Sequence, residues 1–236
     1  CIRDRAFGAT LAEVYRRWGW GDRVFVWHEA ADTRLFHPPA PEQAREGLVW
    51  IGNWGDGERG AELEEFLLRP AREAHLGLDI HGVRYPAEAR AMLEHHGARF
   101  RGWLPNARAP EVFARHLATV HVPRRFYVEM LPGIPTIRVF EALACGIPLV
   151  SAPWQDSEGL FRPGQDFLVA RDGTEMTRHL AALCDDPALR ATLAASGLET
   201  IQARHSCAHR VDELLAMLAS LGTAAAGPPA IEETAS

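Results

Sequence analysis

From Leu48 onward the chain repeats one pattern: a short apolar run, a turn, then a stretch with helical periodicity. The apolar runs fall at 48–52, 78–82, 98–103, 118–123, 147–151 and 167–170. Helical stretches at 58–74, 88–96, 109–116 and 136–145 alternate with them, and further helices follow near 174–184, 187–203 and 207–221. Strict alternation of strand and helix with short connections predicts parallel strands covered on both faces. The expected fold class is α/β, with a doubly wound parallel sheet. Ahead of this repeat, residues 5–18 read as a helix and Val24-Phe25-Val26-Trp27-His28 as a short strand. Pro39-Ala40-Pro41 reads as a linker, and the stretch from Gly222 to Ser236 as a disordered tail.

Composition narrows the function classes. A net charge of -6 argues against a general nucleic-acid or acidic-membrane binder. No apolar run is long enough to cross a bilayer. The chain opens on Cys1, with no charged segment leading into an apolar one, and is expected to be part of a longer polypeptide without a signal peptide. All 25 of its Lys and Arg residues are Arg, which rules out chemistry that needs a lysine. Cys1, Cys145, Cys184 and Cys207 lie far apart, without metal-finger spacing, and fit a reducing cytoplasm. Cys145 and Cys184 sit in apolar helical patterns and read as core thiols. His81, His95, His96 and His121 show no ligand spacing and read as ordinary surface or strand-end residues.

In open parallel sheets ligands bind beyond the carboxyl ends of the strands, and two loops there carry chemistry. The first runs from Gly52 and Asn53 through Gly57 to Arg59 and Gly60. Its glycines allow close approach of a ligand, the following helix start favours an anion, and Arg59 can add a bidentate contact. The competing reading is a plain strand-to-helix turn with a solvated Arg. The second loop holds Pro132, Gly133, Ile134, Pro135, Thr136 and Ile137 and leads into a helix closed by Gly146. Pro135 suits a first helical turn, and the unpaired N–H groups of Thr136 and Ile137 would face an anion. Glu141 lies in an otherwise apolar helix, where a carboxylate needs a partner. A ribose diol is one such partner; a nearby Arg or water is the alternative. Trp54 and Trp103 end strands on the same side, Trp103 with the stronger expectation of core packing.

Arg138-Val139-Phe140-Glu141-Ala142-Leu143-Ala144-Cys145-Gly146-Ile147-Pro148-Leu149-Val150 resembles the "EAMACGxPVV" segment of the group 1 glycosyltransferases of the GT-B fold. Ala31 to Pro38 resembles their "GVDxxxFxP" interdomain linker, and Leu160 to Leu168 their next turn and strand. Asp185-Asp186-Pro187 and His205 to Arg210 resemble their C-terminal helices, and that ending most resembles the spore-maturation-like branch. The resemblance covers roughly residues 30 to 218.

It implies that residues 1–40 end an N-terminal acceptor domain, most of which is absent from this chain. Residues 41–221 would then form a Rossmann-like domain that binds a nucleoside diphosphate sugar as co-substrate, with no metal. The implied activity is retaining, hexosyltransferase-like transfer to an unknown glycan, lipid or protein acceptor. Glu141 matches the family's ribose-binding glutamate, and Gly133, Ile134, Pro135, Thr136 and Ile137 its diphosphate-holding loop. Gly52, Asn53 and Arg59 fall near its cationic diphosphate contact. Two departures stand out. Many members carry a sugar-contacting glutamate eight positions before the ribose one, where this chain has Gly133, with Glu129 out of register. The usual lysine of the cationic pair has no counterpart. A non-catalytic nucleotide- or saccharide-binding module and a nucleotide-sugar epimerase on the same fold are the rival readings.

Overall fold

A computed structural model describes residues 4–21, 24–39, 44–55 and 57–221. Part of the expected linker and all of the expected 222–236 tail lie outside the described residues. The first unit is a parallel pair, β1 (Asp4–Ala6) and β2 (Val24–Val26), bridged by α1 (Ala9–Arg17). The expected helix over 5–18 is therefore shorter, and its first residues are a strand. Arg5 and Ala6 pair with Phe25 and Val26, a long-range partnership that helical periodicity does not register.

The second unit is a six-stranded parallel sheet in the order β5-β4-β3-β6-β7-β8. Its strands are β3 (Leu48–Ile51), β4 (Leu78–His81), β5 (Arg99–Gly102), β6 (Ala118–His121), β7 (Leu149–Ser151) and β8 (Leu168–Val169). Each apolar run of the sequence supplies one strand. Successive side chains point to opposite faces of a strand, so β3 feeds two cores. Leu48 and Trp50 join one with Leu63, Leu67, Leu93, Met176 and Leu180, while Val49 and Ile51 join the other with Phe113, Phe140, Leu143 and Ile201. Helices thus cover both faces, as a doubly wound sheet requires. The edge strand β5 carries Arg99 and Arg101, both paired with Asp79 on β4; charges on an edge discourage further pairing.

The helices on the first face are α2 (Gly60–Leu63), which continues through a π-helical turn at Glu64–Leu68 into α3 (Arg69–Glu73), then α4 (Ala87–His95) and α8 (Gly173–Asp185). On the other face lie α5 (Ala109–Phe113) and α7 (Ile137–Ala144), and α9 (Pro187–Arg204) reaches the first core through Leu193 and the second through Ile201. The short α6 (Arg125–Glu129) follows β6, and α10 (Cys207–Ser220) ends the described chain. Local chemistry sets the helix ends. Asp172 and Asp186 accept from the backbone N–H groups of Glu175 and Leu189, Pro187 opens α9, and Gly146 takes φ +61 just past α7. Pro135 does not stand in the first turn of α7, because Thr136 is the N-cap and the helix begins at Ile137.

Glu158 ties the two units together. One oxygen accepts from the N–H of Ala9 at 2.8 Å and the other meets His28 Nε2 at 2.8 Å. The start of α10 closes the joint, with Trp27 Nε1 donating to the Arg210 carbonyl at 2.8 Å. Cys145 is buried as expected, and burial raises its thiol to about 12. Cys184 is exposed, on the solvent side of α8 rather than in the core. No helix among the described residues is long and apolar enough to cross a membrane.

Candidate functional site

The chain winds from β3 outward through β4 and β5, then returns to place β6 on the other side of β3. Connections at that reversal leave in opposite directions and open a crevice beyond the strand ends. A crevice of about 780 Å³ lies there. Its walls include Gly52, Asn53 and Arg59 after β3, Trp103 and Asn106 after β5, His121 and Arg124 at the end of β6, and Thr136, Ile137, Arg138 and Glu141 from α7.

The turn after β3 is packed against its neighbour. A Cβ on Gly82 would sit 2.0 Å from the Gly52 carbonyl oxygen, and that carbonyl accepts from the Tyr85 hydroxyl at 2.9 Å. The Asn53 side chain accepts from the Val83 N–H at 3.0 Å. Arg59 is 7% exposed, so the solvated-Arg reading does not describe it. Its guanidinium donates to the carbonyls of Val122 and Asn53, each at 2.8 Å, and stacks over Trp50. It pairs with no carboxylate among the described residues, and its Nε is buried without a partner. Burial, and then the nearby Arg124 charge, lower its pKa. Arg124 itself is half-buried and meets Glu58 at 3.2 Å. Two guanidinium groups therefore line this end of the crevice, Arg124 paired with Glu58 and Arg59 without a carboxylate in contact.

Glu141 is 4% exposed on α7. Asn106 donates to its Oε1 at 3.0 Å, and Arg138, one turn earlier, donates to Oε2 and to the Asn106 side-chain Oδ1 at 2.6 Å. Burial raises the Glu141 carboxyl, while Arg138 and Asn106 pull it back down. Of the two partners left open by the sequence, an Arg is present, and the carboxylate still lines the crevice. Asn106 and Arg138 were not among the expected site residues. The i, i+3 spacing of Arg138 and Glu141 is a legible helical pair; nothing local links Asn106 to either.

Gly52, Asn53, Arg59, Thr136, Ile137 and Glu141 thus meet at one crevice, and Gly133, Ile134 and Pro135 do not line it. Gly133 takes φ +89, and a Cβ there would fall 1.9 Å from Ser157 Oγ. Ile134 is buried against Gly8 in the first unit. The loop turns inward before Thr136, so only its last residues reach the crevice. At φ +89 the backbone at 133 takes a conformation that L side chains rarely adopt. Glu129 is exposed on α6 and does not share the crevice with Glu141. Trp103, expected to favour the core, is 72% exposed at the crevice mouth, while Trp54 is buried against Tyr85. His81 and His121 end β4 and β6, as the strand-end reading has it, although His121 is buried; His95 is exposed, and His96 is buried rather than a surface residue.

A model of the family described as "Glycosyl transferase-like" matches residues 59–216, more than half of the sequence. The chain belongs to this glycosyl transferase-like family. No curated protein sequence matches it. Among solved structures, this glycosyl transferase-like chain is similar to HepE from Anabaena, solved in complex with UDP and glucose. The TM-score is 0.73 at 15% identity, over 92% of this chain and 62% of that one. It is also similar to sucrose-phosphate synthase from Thermosynechococcus elongatus, with TM-score 0.68 and 17% identity over 92% and 58% of the two chains. The pneumococcal O-GlcNAc transferase GtfA, solved with UDP and GlcNAc, gives TM-score 0.67 and 10% identity over 94% and 46%. The chain spans less than two thirds of each. At these identities the likeness is one of fold.

Away from the crevice of this glycosyl transferase-like chain, in a cavity it shares with Trp27 and Arg210, Glu29 follows β2 with one buried oxygen that has no hydrogen-bond partner. Burial, and then the charge of Glu141, push its carboxyl from 4.5 up to about 7. The folded pKa lies above the unfolded one, so the fold favours the protonated form. That contribution is full below the unfolded pKa and is lost as pH rises through about 7. Glu29→Gln is expected to gain about 1–3 kcal/mol over the parent at about pH 8 and little at about pH 4. Urea midpoints at the two pH values check this; equal slopes with pH for parent and variant would refute it.

Proposed function

We propose that this chain is the donor-binding half of a glycosyltransferase that transfers a sugar, a hexose with retention of configuration, from a nucleoside diphosphate sugar. The observation that carries the reading is the pairing of charges in one crevice. Arg59 is buried beside Arg124 without a carboxylate of its own, and Glu141 stands at the α7 side. A buried cation is costly unless an anion joins it; Arg124 already has Glu58, but Arg59 has none, and a diphosphate is such an anion. The first turn of α7 adds to this, since Thr136 makes no side-chain cap and leaves the leading N–H groups open toward the crevice. During transfer the same groups stabilise the charge that develops on the departing diphosphate. Glu141, oriented by Asn106 and Arg138, accepts from the ribose hydroxyls. Trp103 offers an exposed indole face to the base.

Acceptor binding is assigned to a second Rossmann-like half, of which β1, α1 and β2 are the closing unit. Within the family we place the chain in the spore-maturation-like branch, on its Gly133–Thr136 and His205–Arg210 segments. We place it in the cytoplasm, where the free thiols of Cys145, Cys184 and Cys207 persist. A binding module without transfer is the second reading; it is favoured by Gly133, which brings no carboxylate toward the sugar.

Calorimetric titration with UDP, GDP, ADP and TDP tests the reading. One of them is expected to bind, and Glu141→Ala to weaken it by about tenfold to a hundredfold, the range for losing a charged acceptor. Unchanged affinity in Glu141→Ala, or no binding by the parent, would sink the donor-binding reading.

A further inference from the structure

His121 closes the buried strand β6 and lines the crevice while being 5% exposed. Its surroundings decide which ring nitrogen holds the proton. The Ser151 hydroxyl, at the end of the neighbouring β7, donates to the Ala152 carbonyl at 2.7 Å. That bond uses the only hydrogen the hydroxyl has. His121 Nδ1 lies 2.9 Å from the same oxygen, so it must be the donor there. The ring is then the Nδ1–H tautomer, and Nε2 carries a bare lone pair. Nε2 is buried and has no hydrogen-bond partner. Burial, and then the Arg59 charge, hold the imidazole down to about 3, so it stays neutral at any working pH. Trp154 stands edge-on to the ring, with centroids 6.3 Å apart.

We propose that His121 is a sugar-recognition residue, whose Nε2 accepts a hydrogen bond from a hydroxyl of the sugar the donor carries. This rests on the donor-binding reading above. A lone pair repels a phosphate oxygen, so the group over Nε2 must be a hydrogen-bond donor. A nucleoside diphosphate sugar offers hydroxyls on its ribose and on its sugar. The ribose belongs with Glu141, and the base with Trp103 after β5. His121 ends β6, three strand spacings from β5, or roughly 14 Å across the sheet. It also adjoins Val122, whose carbonyl holds Arg59. The ligand part that lies past the diphosphate, away from the base, is the sugar. A buried acceptor aimed at one hydroxyl discriminates against ligands that lack it, because it is then left unpaired. It also gives this chain a sugar contact that does not depend on position 133.

The test compares two ligands on the same protein: the nucleoside diphosphate that binds best, and its glucose and N-acetylglucosamine conjugates. His121→Phe keeps a ring against Trp154 and removes the acceptor. The expected result is unchanged affinity for the free diphosphate and about tenfold weaker binding of the preferred conjugate. Equal affinities for parent and variant, or equal weakening of both ligands, would overturn the proposal while leaving the donor-binding reading intact. A parent that binds no nucleotide overturns both. Should His121→Phe fail to fold, nitrogen-15 spectra of the parent's imidazoles decide. The Nε2 resonance is expected to move when the conjugate is added and not when the free diphosphate is; an unmoved resonance refutes the assignment.

Discussion

Asp166→Ala is expected to destabilise the fold by about 3–5 kcal/mol, the range for removing one member of a buried charged network. Asp166 is fully buried in the turn before β8. One oxygen accepts from the Arg162 Nε at 3.1 Å and from the Ser196 hydroxyl at 2.8 Å. The other accepts from the Arg162 backbone N–H at 2.8 Å and from the Thr200 hydroxyl at 2.9 Å. A single carboxylate thus closes its own turn and clamps it to α9. Alanine leaves those donors facing an apolar gap. Arg162 can turn to water, since its side chain is 42% exposed, but the Thr200 hydroxyl is buried with it. Asp166→Asn keeps one acceptor oxygen but turns the other into an NH2 that faces an Arg162 N–H, so it should cost less than alanine, about 1–3 kcal/mol. Urea unfolding of the three proteins gives the comparison. A loss below about 1 kcal/mol for the alanine variant would show that α9 and the turn hold without this clamp.

Arg59→Ala carries the second large effect, on stability and binding together. The side chain spans two loops, bonding the Val122 carbonyl after β6 and the Asn53 carbonyl after β3. Its loss leaves both carbonyls short of a donor and uncovers Trp50. Relief of a buried charge offsets part of the cost, so the net loss is set at about 2–3 kcal/mol. Diphosphate affinity should fall about a hundredfold, since a charged donor and the loops it fixes go together. Arg59→Met separates the two, because it restores the cover over Trp50 without a charge. It should recover part of the stability and none of the affinity. Recovery of full diphosphate affinity in Arg59→Met would show that Arg59 only props the loops.

Much of this molecule is legible without coordinates, and the reason is local. Alternating apolar runs and helical stretches specify the α/β class because each element announces which of its faces seeks burial. Asp186 before Pro187 and Gly146 after Cys145 mark helix ends, since capping is decided within a turn or two of the chain. The placement of Glu141 in an apolar helix signals a carboxylate that needs a partner. What the fold alone decided is what lies side by side. Strand order put β6 next to β3 and so opened the crevice; an apolar run carries no label for its neighbour. It brought Asn106 to Glu141 across 35 residues, and Ser151 to His121 across 30. It turned Trp103 out and Trp54 in, although both end strands in similar words. It seated Gly133 beneath Ser157 and buried Arg59 on two carbonyls, where the sequence allows equally a solvated Arg. Local periodicity encodes burial, but the proton on His121 and the charge left open on Arg59 depend on contacts that only tertiary packing makes.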